Sequence, residues 1–183
     1  MEFLTTLWIP ILASAVIVFF ASFITHMVLP LHKGEFKKLP NEETMHPEIA
    51  KVPPGLYSLI CPESPKDMNS PEFAEKCKKG PNGILVVWDG PVNMGQNLGL
   101  TFLFYIVVGI FVAFIGWSSF GKETTEYMVR FRMCAAIAFA CHGLGWMSMF
   151  IWYRYGKFWP NFIDSLVYAL LTAGTFAWLW PTG

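Results

Sequence analysis

The residues best suited to chemistry are histidines and cysteines set in long apolar runs. His26 and His142 each lie in a stretch with no charged neighbour for many residues. A polar ring in hydrocarbon needs a partner, and two such histidines are the residue types that hold a haem through its axial positions. Their depths speak against a shared haem. His26 is six residues from His32 and His142 is twelve from Arg154, which at about 1.5 Å per residue puts them roughly 9 and 18 Å from one interface. The expectation is that His142 is hydrogen-bonded inside a helix bundle, with His26 and His142 the candidate cofactor-binding pair.

A second set lies in the polar part of the chain. Cys61, Cys77, His46 and Met68 offer soft donors suited to Cu(I) or zinc. There is no C-x-x-C and no histidine pair at ligand spacing. In an oxidising compartment Cys61 and Cys77 are able to pair; in a cytoplasm they stay reduced. Unpaired structural cysteines are the expectation, and haem or copper is not the leading one.

Cys134, Ala138, Cys141, Gly145 and Ser148 recur at steps of four and three. On one helix they form a small-residue face that lets a neighbouring backbone approach closely. That face predicts a packing seam, within the bundle or against another membrane subunit. Asp164 follows Pro160 and Asn161 and reads as a carboxylate in a first helical turn, capped by Asn161. On that reading no charged residue is buried in a span away from its ends, as proton-coupled carriers require. Ser118 and Ser119 have no base nearby. No nucleophile motif, phosphate loop or zinc-protease signature is present, so no catalytic residue is expected.

These residues need a membrane scaffold to position them. Of the 183 residues, 54% are apolar or aromatic and 14% are charged, against roughly 25% charged in soluble domains. Net charge is zero, with 13 basic and 13 acidic residues, so nothing points to nucleic acid. About 20 apolar residues cross a bilayer core, and the windows Phe3–Leu31, Leu98–Phe120, Met133–Tyr153 and Phe162–Trp180 qualify. The first lacks the basic start and short core of a cleaved leader, so a retained helix is expected. Trp8, Trp117, Trp178 and Trp180 would mark one interface; Tyr105, Trp152, Tyr155 and Trp159 would mark the other.

The predicted organisation is a four-helix membrane protein. Residues 1–31 form the first helix, residues 32–97 a small α+β polar insertion, and residues 98–183 the remaining three helices. Within the insertion, Leu56–Cys61 and Ile84–Trp88 read as strands. Ser70 caps a helix that starts with Pro71 and closes at Gly80. Asn41–Ala50 holds at most a helical turn, limited by Pro47. Such a unit is too small to bury a core alone. Lys33, Lys37, Lys38, Arg154 and Lys157 flank one side, against Lys122, Arg130 and Arg132 on the other. That count favours a cytoplasmic insertion and periplasmic termini.

Several segments carry a resemblance: Phe23–Leu29 followed by His32 and lysines, Lys66-Asp67-Met68, Gly80-Pro81 to Gly83, and Asn93-Met94-Gly95. The most specific is Tyr168–Phe176 with Trp178-Leu179-Trp180-Pro181. In these the chain resembles an uncharacterised family of bacterial four-helix inner-membrane proteins of unknown function. The resemblance implies a bacterial inner membrane and brings no activity. The leading expectation is an accessory or assembly subunit, lodged in the lipid bilayer and docked on a membrane-protein partner or a second copy. The alternatives are a haem- or metal-binding redox protein and a small channel or carrier for a neutral solute.

Overall fold

The computed structural model describes residues 2–121 and 126–181. In chain order the elements are α1 (Glu2–Thr6), α2 (Trp8–Phe23), α3 (Glu42–Ile49), β1 (Gly55–Ser58), α4 (Pro71–Lys79), β2 (Ile84–Val87), α5 (Met94–Phe120), α6 (Tyr127–Phe139), α7 (Gly145–Tyr153) and α8 (Phe158–Leu179). A π-helical turn, Ile24–Val28, extends α2, and another, Ala140–Leu144, joins α6 to α7. The chain divides into two units, Met1–Phe36 with Asn93–Gly183, and Lys37–Val92. The first therefore takes in residues 32–36 and 93–97, which lie inside the predicted insertion.

Four helices of the first unit are long and apolar enough to cross a membrane: Trp8–Val28, Met94–Ser119, Tyr127–Tyr153 and Phe158–Leu179. Three begin earlier than their hydropathy suggests. The Asn93 side chain accepts from the Gln96 N–H at 3.1 Å, so α5 starts on a polar turn ahead of its apolar run. Arg130 and Arg132 lie inside α6 rather than in a flanking loop, and Arg130 is buried; Lys122 lies outside the described residues. The fourth helix starts at Phe158, with Pro160 accommodated in its first turn, where no intrahelical N–H bond is lost. Asn161 is therefore not its cap, and Asp164 is buried in the helix rather than placed at an exposed end.

The core joins all four spans. Leu7, Ile11, Val112, Ala138, Ala173 and Phe176 belong to one buried cluster. Gly109 permits a close approach there: a Cβ would stand 3.3 Å from the Ile11 carbonyl oxygen, so α2 and α5 run nearly backbone to backbone. The outer faces expose Phe20, Phe23, Phe111 and Trp178, a surface suited to lipid and unfavourable in water. Trp8, Trp178, Trp152, Tyr155 and Trp159 are exposed as interface residues would be. Tyr105 and Trp180 are instead buried, Trp180 against Trp117.

The expected small-residue face divides at the π-helical turn. Cys134 and Ala138 are fully buried and Cys141 is half-buried, whereas Gly145 and Ser148 are exposed. A π turn carries one extra residue, so positions beyond it fall out of phase by about 100°. Gly143 is buried in their place, with Trp146 and Met147 half-buried after it.

In the second unit β1 and β2 pair antiparallel, Gly55 opposite Val87 and Ser58 opposite Ile84. Ser70 Oγ accepts from the Phe73 N–H at 3.1 Å, with Pro71 in the first turn of α4 and Gly80 at its close, at φ +64°. β1 stops at Ser58, short of its predicted end, where Ser58 Oγ donates to the Ile60 carbonyl at 2.7 Å. α3 runs for eight residues through Pro47. None of the described residues of this unit is fully buried.

Candidate functional site

The first span ends in a fold-back that brings two histidines together. Pro30 disfavours a helical conformation at Leu29, and Leu29 is extended at φ −84°, ψ 144°. The chain then makes a short 3₁₀ turn, Pro30–His32. In a continuous helix His26 and His32 would stand about 9 Å apart along the axis. Here their rings stack, with centroids 4.0 Å apart and planes 10° from parallel.

Asp164 comes to the pair from the fourth span. Its Oδ2 lies 2.9 Å from His32 Nε2 and 3.6 Å from His26 Nδ1. The other ring nitrogen of His32, Nδ1, lies 3.0 Å from Glu35 Oε1, at ion-pair distance but without hydrogen-bond alignment. Glu35 Oε1 also accepts from the Lys157 backbone N–H at 3.3 Å and from Asn161 Nδ2 at 3.4 Å. The His32 imidazole is thus held between two carboxylates, and it, Asp164 and Glu35 are largely shielded from solvent.

This donor set suits a metal ion. One ligand atom from each of His26, His32 and Asp164 lies within 4.8 Å of the other two. Two donors on one ion, each at about 2.1 Å, are roughly 3.0–3.4 Å apart at octahedral to tetrahedral angles, and the observed 2.9 and 3.6 Å bracket that span. Glu35, 3.0 Å from His32 Nδ1, stands where a carboxylate would orient a ligating histidine through its second nitrogen once the two were aligned. His26 Nδ1 also lies 3.1 Å from the Ser22 carbonyl oxygen and 3.2 Å from Thr25 Oγ1. Ligation through Nδ1 exchanges the Ser22 contact for the metal. Two histidines and one carboxylate leave coordination positions open, as in catalytic zinc and non-haem iron sites.

His142 lies beside this cluster. It sits in the π-helical turn Ala140–Leu144, its ring 5.8 Å from that of Tyr105, 5.7 Å from Tyr168 and 6.0 Å from Phe104. Tyr168 shares a 2.9 Å hydrogen bond with Thr25 Oγ1, which continues to His26. Ser165 Oγ donates to the His142 carbonyl at 3.2 Å, tying the turn to α8. His26, His142 and Asp164 all line one cavity of about 160 Å³. The depth difference between the two histidines therefore does not separate them.

Comparison with known protein families, curated proteins and solved structures found no match.

The remaining candidates lie elsewhere. Cys61, Cys77, His46 and Met68 belong to the second unit; both cysteines are free, and of the four only Cys77 is even half-buried. Among the described residues, His26, His32 and Asp164 are the one group of three histidine, cysteine or acidic side chains close enough to hold an ion. Ser118 and Ser119 each donate to a carbonyl four residues back within α5. Sequence reasoning missed His32 and Asp164 as site residues. The Leu29-Pro30 step just before His32 was the available signal, since it disfavours the straight helix that would have kept His32 and His26 apart.

Proposed function

We propose that this chain is a multi-pass membrane protein that binds one divalent transition-metal ion through His26, His32 and Asp164. The observation that carries the reading is the buried Asp164 carboxylate, facing two histidine nitrogens at 2.9 and 3.6 Å while Glu35 addresses the far side of His32. Nitrogen and oxygen donors without thiolate favour zinc or ferrous iron over Cu(I). The neighbouring cavity, at about 160 Å³, is below the roughly 300–1,000 Å³ of sites for larger ligands, which argues for a metal ion rather than a haem between His26 and His142. The accessory-subunit reading drew on the small-residue seam, on a polar unit too small to bury a core and on the lack of buried charge; the burial of Asp164 removes the last of these and favours the metal reading.

The bacterial inner membrane is the setting we propose, on the resemblance described above. Lys33, Arg154 and Lys157 lie at the end of the bundle that carries the site, and Lys157 Nζ donates to the Lys33 carbonyl there. With Arg130 buried in α6 the opposing charge count falls, which supports a cytoplasmic placement of that end.

Titration of the purified full-length protein with Co²⁺ or Zn²⁺ tests the reading. One equivalent should bind, and His26→Ala, His32→Ala and Asp164→Asn should each weaken binding at least tenfold. Absence of binding, or binding indifferent to all three substitutions, overturns it.

A further inference from the structure

We infer that the small cavity beside the metal centre is its ligand side, taking a small protic oxygen-donor molecule held between Asp164, His142 and Trp146. The inference rests on the metal reading and deepens it.

The Asp164 carboxylate faces two ways. Its Oδ2 addresses the histidines, while its Oδ1 is buried without an aligned hydrogen bond, the Tyr168 hydroxyl being the protein group near the carboxylate, and Asp164 lines the cavity. Asp164 as a whole is only 4% exposed. Two more buried atoms, His142 Nε2 and Trp146 Nε1, likewise have no aligned hydrogen bond and belong to lining residues of the same cavity. A buried polar atom left unpaired costs about 1–3 kcal/mol. Three around one space select its occupant.

Their chemistry restricts that occupant. An indole N–H only donates, an ionised carboxylate only accepts, and a neutral imidazole does one or the other at Nε2 according to its tautomer. The ligand must therefore accept from Trp146 and donate to Asp164. An oxygen or amide group that also reaches the metal meets both demands. Volume sets the scale: about 160 Å³ is roughly five times the 30 Å³ share of one water, room for a molecule of a few heavy atoms. Tyr105, Tyr168 and Phe104, the rings packed about His142, supply flat apolar walls for the remainder. His26 belongs both to the ion-binding group and to the cavity lining, so a ligand in the cavity is within reach of the ion's open positions.

Acetohydroxamate is a suitable probe, since it binds metals through two oxygens, carries an N–H and is small enough. It would be added to the Co²⁺-loaded full-length protein in mild detergent while the visible d–d bands are recorded. A saturable band shift is expected. His142→Ala and Trp146→Phe should each weaken the probe by about tenfold, the value of one lost hydrogen bond at the upper end of its usual range. Both should bind Co²⁺ within about twofold of the unsubstituted protein. Trp146→Phe keeps the ring and serves as the control if His142→Ala fails to fold. Co²⁺ bound normally, with no band shift or with a shift indifferent to both substitutions, overturns this inference and leaves the metal reading standing. No Co²⁺ binding at all removes both.

Discussion

His32 Nε2 and Asp164 Oδ2 meet at 2.9 Å across 132 residues of sequence. The contact fastens the end of the first span to the first turns of the fourth. Both side chains are largely shielded from the water that would replace either partner. Glu35 holds His32 from behind and is itself held by the Lys157 backbone and Asn161. The joint is therefore one polar assembly drawn from two short segments, 32–35 and 157–164.

Removing one side of that joint should cost more than removing both. Asp164→Leu strands the His32 ring and should destabilise the protein by about 3 kcal/mol, in line with buried pairs broken from one side. The double variant His32→Leu/Asp164→Leu should recover a good part of that loss. Unfolding of the single and double variants in mixed micelles measures the difference; simple additivity would show that the two residues do not act together.

Glu35 tests the outer layer of the site. Glu35→Gln keeps the size and one acceptor but loses the charge behind His32. Metal affinity should fall by about 10- to 100-fold, the usual effect of losing an outer-layer carboxylate, with one ion still bound at saturation. An unchanged affinity would assign Glu35 to tethering residues 157–161 alone.

Pro30→Ala separates the fold-back from the side chains that use it. Alanine frees Leu29 to become helical and favours helix by about 3 kcal/mol over proline. The span should then run on through residue 32 and carry His32 away from His26. Metal binding should weaken although no ligand has changed, and helical content by circular dichroism should rise slightly.

Two neighbouring glycines should respond in opposite ways. A Cβ at Gly143 would stand 3.3 Å from the Phe139 ring and from Ser165 Cβ, whereas none of the described atoms lies within 4 Å of a Cβ at Gly145. Gly143→Ala should cost about 1–3 kcal/mol, as overpacking does. Gly145→Ala should be neutral or stabilising by up to about 1 kcal/mol. The reverse order would place the seam on the uninterrupted helical face.

Cysteine labelling reads the orientation. Cys61 is exposed and Cys134 is fully buried. A membrane-impermeant maleimide should modify Cys61 in inverted vesicles and not in intact spheroplasts if the second unit faces the cytoplasm. Cys134 should react only after denaturation.

Much of the scaffold was legible because bilayer dimensions and backbone hydrogen bonding act on every residue of a span. Four apolar runs gave four helices, and Ser70-Pro71 with Gly80 marked both ends of α4. The site was harder to read. Asn161 and Asp164 have the spacing of a capped helix start, and only the earlier start at Phe158 puts the carboxylate inside the bundle. Its partner lies in a distant segment, and local pattern carries no information about such pairing. The two π-helical turns, one bearing His26 and the other His142, were invisible because a one-residue excess leaves composition and hydropathy unchanged.

That excess constrains how the third span can drift over evolutionary time. Substitutions in α6 and α7 keep their meaning only while the extra residue between them stays wound in the π turn. A chain that kept all of residues 140–144 but wound them as a regular α-helix would swing every later side chain by about 100°, turning Trp146 out of the cavity and bringing Gly145 and Ser148 inward. Alignments of this span are therefore best anchored separately on either side of His142, where a single-residue gap removes the π turn and keeps the phase of α7.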